Sequence, residues 1–438
     1  MRSVYRPGIS LKRIWLVITG LVLLFSAQAQ DETKDSGLFP DDLFLSEVNP
    51  LHGFGIFTFN TPFYIGAFKN KEQKFSVGYS SGNTWHPLST VYYPLNMTVS
   101  QTRETNALYI TDRPAYFESE GISTQRKTFS SDGVLQTLNF TYLIQLAEKG
   151  SFIFKLNTFL LSGGSSPLHY FVSDKFIESI HTQVGIEDNF GRKLFPFNQA
   201  HLFYQDENGR EISIDKGQAF LGTFDINYYR PIWKIERHTS YFSLQGGAHL
   251  SLPFNKYYQK VAGGISAGLL FRQKIFQRFY TDWAADCLFS DHSLASLSKA
   301  PNLIDRDIRL SAKSYIAFNL VSKSNRTFCF GLVCNYQDSY LKGNIFNITQ
   351  DNYRDLGVSF LKAGDKWDGI TVTKTPRLSK LTAASMYYFS LKPYFFWGLK
   401  GKNSDLIFTI CEDYPLVNNA PDVQFGFQLT RNLGKVSK

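Results

Sequence analysis

After residue 25 the chain contains no apolar run of the roughly 18 residues that a membrane-spanning helix requires. Charged residues make up 19% and mean hydropathy is −0.19, which excludes a bundle of transmembrane helices. Methionine is scarce, with 3 residues, and there is no bias toward helix-favouring Ala, Glu or Lys. Cysteine is scarce too. Cys287, Cys329, Cys334 and Cys411 form no Cys-x-x-Cys and match no zinc spacing. Cys329 and Cys334 lie five apart in one apparent strand, so they point to opposite faces and read as small wall residues. Basic residues outnumber acidic ones by only 46 to 37, with no Lys/Arg run dense enough to hold nucleic acid. No P-loop, dinucleotide fingerprint, calcium loop or Gly-x-Ser-x-Gly elbow is visible. No cofactor, no metal and no nucleic-acid partner is expected.

What the chain does have is aromatic and β-forming residues: aromatics are 16% of it, with 40 Phe and 24 Tyr. Its start reads as an export signal over residues 1–29. Arg2, Arg6, Lys12 and Arg13 are a basic head, Ile14 to Phe25 an apolar stretch, and Ala27-Gln28-Ala29 a small-x-small cleavage site. Cleavage before Gln30 leaves 42 basic and 37 acidic residues, lowering the formal charge from +9 to +5. Residues 30–72 are then expected as a periplasmic N-terminal segment and 73–433 as one β-barrel.

The barrel reading rests on two-residue alternation. From Tyr241 to Leu252, Phe242, Leu244, Gly246, Ala248, Leu250 and Leu252 share one face, while Tyr241, Ser243, Gln245, Gly247, His249 and Ser251 share the other. Such a strand fits the roughly 9–11 residues that cross a bilayer. The pattern recurs from Val261 to Phe271, with Phe279, Trp283, Ala285, Cys287 and Phe289 against Tyr280, Asp282 and Asp286. It recurs again with Ile308, Leu310, Ala312, Ile316, Phe318 and Leu320 against Arg309, Ser311, Lys313, Tyr315 and Asn319. Connections alternate between short ones, such as 148–150, 231–238 and 273–277, and long polar ones, 163–217, 291–306 and 339–382. Short turns at one end and long loops at the other are the habit of outer-membrane barrels. A soluble sandwich also alternates, but has no reason for strands of 11 to 15 residues. The fold class expected is therefore all-β: a closed antiparallel transmembrane β-barrel of about 12 strands (range 12–14), with one short helix in the long extracellular loop 163–217. Apolar faces would meet lipid and polar faces would line the lumen.

That helix is expected from Pro167 to Val184. Ser166 can cap it, Leu168, Phe171, Val172, Phe176, Ile177, Ile180 and Val184 make an apolar stripe, and Gly185 stops it. Asp174, Glu178 and His181, at i, i+4 and i+7, share a polar face. Around them Leu161-Ser162-Gly163-Gly164, Asp174 to Glu178, His181, Gly185 and Gly191-Arg192 resemble the signature of an uncharacterised Gram-negative outer-membrane family of porin-like β-barrels, a domain of unknown function. Asn49-Pro50-Leu51, a hairpin around Glu207-Asn208-Gly209, and Lys216-Gly217 are similar as well. The chain departs where the family tends to carry Gly-Gly-Phe-Leu-Asp, since Gly164 is followed here by Ser165-Ser166-Pro167-Leu168. The resemblance implies fold and location, not a biochemical role.

Two sets of charged residues are the candidate pore residues. Asp174, Glu178, His181 and Arg192 belong to the loop, and Asp282, Asp286, Arg309 and Lys313 to the wall, where hairpin pairing brings the acids near the bases. The wall charges fit either a water-filled pore or a plugged, non-conducting lumen. His249 with Ser251, and His292-Ser293 beside Asp291, are the pairs a hydrolase would use, although no enzyme is expected. The expected function is a passive channel for small hydrophilic solutes in the bacterial cell outer membrane, with membrane lipids and lipopolysaccharide around its wall. A closed barrel with a structural or surface-binding role, and a lipid-modifying enzyme, stand as alternatives.

Overall fold

The computed structural model describes residues 43–44, 64–65, 71–94, 121, 124–164, 170–183, 199–297, 301, 308–321, 326–338, 347–349, 366–367, 370–371, 388–400, 404–412, 414–415 and 423–434. The expected signal segment 1–29, most of the segment 30–72, Pro167, Gly185, Arg192 and the turns at 322–325 and 401–403 lie outside the described residues.

Twelve long strands close into one antiparallel barrel. In chain order they are β1 Lys71–Pro94, β2 Thr124–Leu146, β3 Ser151–Ser162, β4 Ala219–Glu236, β5 Ser240–Pro253 and β6 Lys260–Phe276. They continue as β7 Phe279–Ser296, β8 Ile308–Val321, β9 Arg326–Gln337, β10 Tyr388–Lys400, β11 Ser404–Glu412 and β12 Val423–Gly434. Each strand pairs with its sequence neighbours, and β1 pairs both β2 and β12, so no wall strand is left with an open edge. The turns are tighter than the sequence suggests. β4 runs to Glu236 and β6 to Phe276, because Trp233, Ile235, Ile275 and Phe276 carry the alternation into what reads as a polar connection. At the turn after β2, Gly150 has φ +118, and a Cβ there would run into the Tyr229 carbonyl oxygen.

The alternation sets the two faces. Ile265, Trp283, Phe289, Ile316, Phe318, Phe330 and Leu429 stand on the outer face, Ile265 at 66% exposure. Their immediate neighbours Tyr280, Asp282, Tyr315, Ala317, Cys329 and Gln428 are buried inside. Cys329 is buried and Cys334 only half-buried, as opposite faces require, and all four cysteines are free. The inner face is not uniformly polar. Toward the turns, Tyr241, Leu270, Ala284, Tyr315, Ala317, Cys329, Tyr394 and Cys411 form a packed core within the barrel, with the Tyr315 and Tyr394 rings edge to face at 6.4 Å.

At the loop end, β1 and β2 outrun the barrel. Their paired extension is widened by a hairpin, His201–Gln205 with Glu211–Asp215, whose first strand pairs Thr128 to Asp132 of β2. Its turn is the expected one at Glu207-Asn208-Gly209. The Asp206 carboxylate accepts from the Asn208 and Arg210 backbone N–H groups, and Gly209 takes φ +73. One α-helix, α1 Asp174–Gln183, occurs among the described residues. No described helix is long and apolar enough to cross a membrane.

Candidate functional site

The inner wall of β6, β7 and β8 gathers the charges. Asp286 lies directly opposite Lys313, as hairpin pairing of β7 and β8 requires. Asp282 does not pair with Arg309. Its register partner on the other side is Arg272 of β6, whose Nε donates to Asp282 Oδ1 at 3.1 Å, while Asn319 Nδ2 donates to Oδ2 at 3.1 Å. Arg272 is 1% exposed, so this is an ion pair sealed from water. Arg309 faces Ser290 across the pair and donates to the Asp338 carbonyl oxygen at 3.0 Å. The Asp338 carboxylate in turn accepts from the Leu310 N–H and the Tyr336 hydroxyl. The acids of β7 thus lie between basic residues on both neighbouring strands, and the charge is balanced within one patch of wall.

Arg272 escaped the sequence reading for a definable reason. A turn placed at 273–277 ends β6 too soon, whereas the observed turn at Gln277-Arg278 sets Arg272 opposite Asp282. The apolar Ile275-Phe276 pair before that turn was the available signal.

A second polar group lies nearer the loop end, where β4, β5 and β6 run side by side. For His249 and Ser251 the pairing expected along one strand is replaced by pairing across strands. His249 does not meet Ser251. Its Nε2 is 2.8 Å from Ser266 Oγ, and its Nδ1 is 3.0 Å from Asn227 Oδ1. Ser251 instead donates to Asp225 Oδ1 at 2.6 Å, and Asn157 Nδ2 donates to Asp225 Oδ2 at 3.2 Å. His292 meets Ser290 at 3.0 Å, while Ser293 turns to Asp291. For His249 the register decides, since Asn227 stands directly opposite it on β4, about 5 Å away and nearer than Ser251 two positions along its own strand. Asn227 and Ser266 had no signal of their own in the sequence, because the register between strands is what brings them to His249.

The described loop helix is Asp174–Gln183, and residues 165–169, on which the expected start falls, lie outside the described residues. Ser173 is the cap: its Oγ accepts from the Phe176 N–H at 3.4 Å and donates to the Tyr170 carbonyl at 2.7 Å. The apolar stripe is half realised, since Val172 and Ile177 are buried while Phe171 is 58% exposed. Asp174 opens the helix and His181 falls in its last turn. Glu178 is buried, with 8% of its surface exposed, so it does not belong to a freely solvated face.

No family model matches the chain, so the resemblance to the porin-like family gains no support there. No curated protein matches it either. Among solved structures it is similar to an outer membrane channel from Pseudomonas putida F1, at 9% identity and TM-score 0.37, covering 84% of this chain and 99% of that one. It is also similar to the toluene transporter TodX of P. putida, at 7% identity and TM-score 0.28, covering 84% of this chain and 92% of that one. The monoaromatic hydrocarbon channel CymD stands at 6% identity and TM-score 0.28, with 84% and 90% covered. At such identities and scores the likeness carries no functional weight, and the barrel is established by the chain's own strand pairing.

Proposed function

We propose that this protein is an outer-membrane β-barrel that passes small hydrophilic solutes through its lumen, and that the conformation described is its closed one. An outer belt of exposed Phe, Ile and Leu side chains on every side of a closed wall suits lipid, because closure satisfies the backbone groups that hydrocarbon cannot. Residues 1–29 serve as the export signal in this reading, and the outer membrane is the destination.

The observation that carries the proposal is the sealed Arg272–Asp282 pair. A barrel with only a structural role gains nothing from charge in its lumen, since apolar residues of equal volume fill the same space at no greater free-energy cost. Charges kept inside suit a lumen that takes up water and solute in another state. Asp282, Asp286, Arg309 and Lys313 would then set preference along the wall, with Asp174, Glu178, His181 and Arg192 as an outer set on the loop. The packed Tyr315–Tyr394 core favours a second reading, a barrel that never conducts.

Planar-bilayer recording separates the two. Discrete steps from the wild-type barrel, longer-lived in Tyr315→Ala, support the channel. Silence from both proteins, with each still running heat-modifiably on gels, leaves the closed barrel. Recovery of the protein from the soluble periplasm rather than with outer membranes overturns the membrane reading itself.

A further inference from the structure

The His249 cluster has a fixed proton order. Asn227 Nδ2 points to the Ile153 carbonyl oxygen at 3.4 Å, which turns its Oδ1 toward the histidine. An amide oxygen only accepts, so His249 Nδ1 carries the hydrogen and donates it at 3.0 Å. In the neutral ring Nε2 is then the acceptor, and the Ser266 hydroxyl donates to it at 2.8 Å. The Tyr229 ring lies edge to face on the imidazole at 5.1 Å and holds its plane. Serine, imidazole and amide oxygen in this order are the parts of a nucleophile, its general base and the group that orients the base.

The surroundings keep that contact open. Gly247 faces Ser266 in the ladder, and a Cβ there would lie 2.5 Å from Ser266 Oγ and 2.6 Å from His249 Nε2. Any other residue at 247 would push the pair apart. Ser266 itself is only half-buried. Leu288 stands opposite it on β7 and packs with Ala262, giving an apolar patch beside the hydroxyl. Gln245 stands opposite Gly268, two residues further along the same inner face.

We propose that Ser266 and His249 are catalytic residues of an esterase site inside the barrel, oriented by Asn227 and taking short-chain carboxylic esters. The proposal does not depend on whether the barrel conducts. Ser266 Oγ bonds to the ester carbonyl carbon as its proton passes to His249 Nε2. The carbon–alkoxy bond then breaks, and the leaving alkoxide takes that proton and departs as the alcohol. Water next gives a proton to Nε2 and its hydroxyl to the acyl carbon, releasing the acid and returning the proton to Ser266. Leu288 and Ala262 are the apolar surface that the acyl chain would meet.

The test uses the full chain folded in detergent micelles, with a fluorophosphonate–biotin probe. Here Oγ bonds to phosphorus, fluoride leaves, and the serine proton passes through His249 to solvent. The expected result is a label mapped by mass spectrometry to Ser266 in the wild-type protein. It should be lost in Ser266→Ala and slowed on the order of 100-fold in His249→Ala. Asn227→Ala should slow it as well, with Asn227→Asp restoring the rate, which a merely structural role would not produce. Wild-type barrel should hydrolyse p-nitrophenyl butyrate and Ser266→Ala should not. A folded wild-type protein unlabelled at Ser266 overturns the proposal. Equal hydrolysis by wild type and by heat-modifiable Ser266→Ala overturns it as well.

Discussion

The two halves of the lumen are held in different ways. Toward the turns, Tyr241, Leu270, Tyr315, Cys329 and Tyr394 pack against one another as in a globular core, with the Arg272–Asp282 pair set into its edge. Toward the loops, the same inner face is filled by directional bonds: Ser251 and Asn157 to Asp225, and Ser266 and Asn227 to His249. Dispersion and apolar burial tolerate changes of shape that preserve volume, whereas a polar network loses its worth when one member goes unmet. One strand can serve both regimes because its inward positions are independent choices, Tyr241 at one end of β5 and His249 and Ser251 near the other.

This contrast can be broken by substitution, read as urea unfolding of the barrel in lipid vesicles. The largest effect expected is Arg272→Leu, about 4 kcal/mol, because it strands the buried Asp282 charge. Adding Asp282→Leu should recover nearly all of the loss. A double variant as unstable as the single one would mean that lost packing, not charge, is responsible. Tyr315→Ala should follow at about 3 kcal/mol, the cost of a cavity in the turn-end core, while Tyr315→Phe should stay within about 1.5 kcal/mol. In the loop-end network the order of tolerance should invert. Ser251→Ala, a small change in volume, should cost about 2 kcal/mol by depriving Asp225 of a donor. A negligible effect there would erase the distinction between the halves. Gln205→Ala, on the exposed outer hairpin and outside both halves, should remain within about 0.5 kcal/mol.

Much of the wall was legible in the sequence because period-two alternation is read directly from residue order. The inward and outward sets of β5, the opposite faces of Cys329 and Cys334, and the hairpin at Glu207-Asn208-Gly209 all occur as expected. Register was less accessible, since it depends on where each turn closes. A displaced turn hid Arg272 from Asp282, and the same dependence kept Asn227 and Ser266 apart from His249. The helix is legible in its apolar stripe, whereas the cap of its described part is not. Ser173 closes a turn onto Tyr170 and offers a cap that apolar periodicity does not reveal. The inner aromatic core was missed because tyrosine was counted with the polar face, although its ring packs as an apolar group once the hydroxyl has a partner, as Tyr315 finds in Cys329 at 3.0 Å.

The seam of the barrel has a temporal consequence. Ser76 of β1 meets Thr430 of β12 at 2.8 Å, and these residues are 354 positions apart. Eleven of the twelve strand pairings in the wall join sequence neighbours, but the ring cannot shut until β12 arrives to make the twelfth, with β1. Contacts of such separation form slowly, since the entropy of bringing distant segments together is spent before any bond rewards it. Throughout that interval β1 presents an unsatisfied edge to every passing strand. Until β12 arrives, that edge is open to wrong pairing, so the seam is the step of assembly most exposed to error. Removing residues 423–434 should leave β1 and β11 each with an open edge, so that the truncated chain self-associates and loses its heat-modifiable mobility on gels.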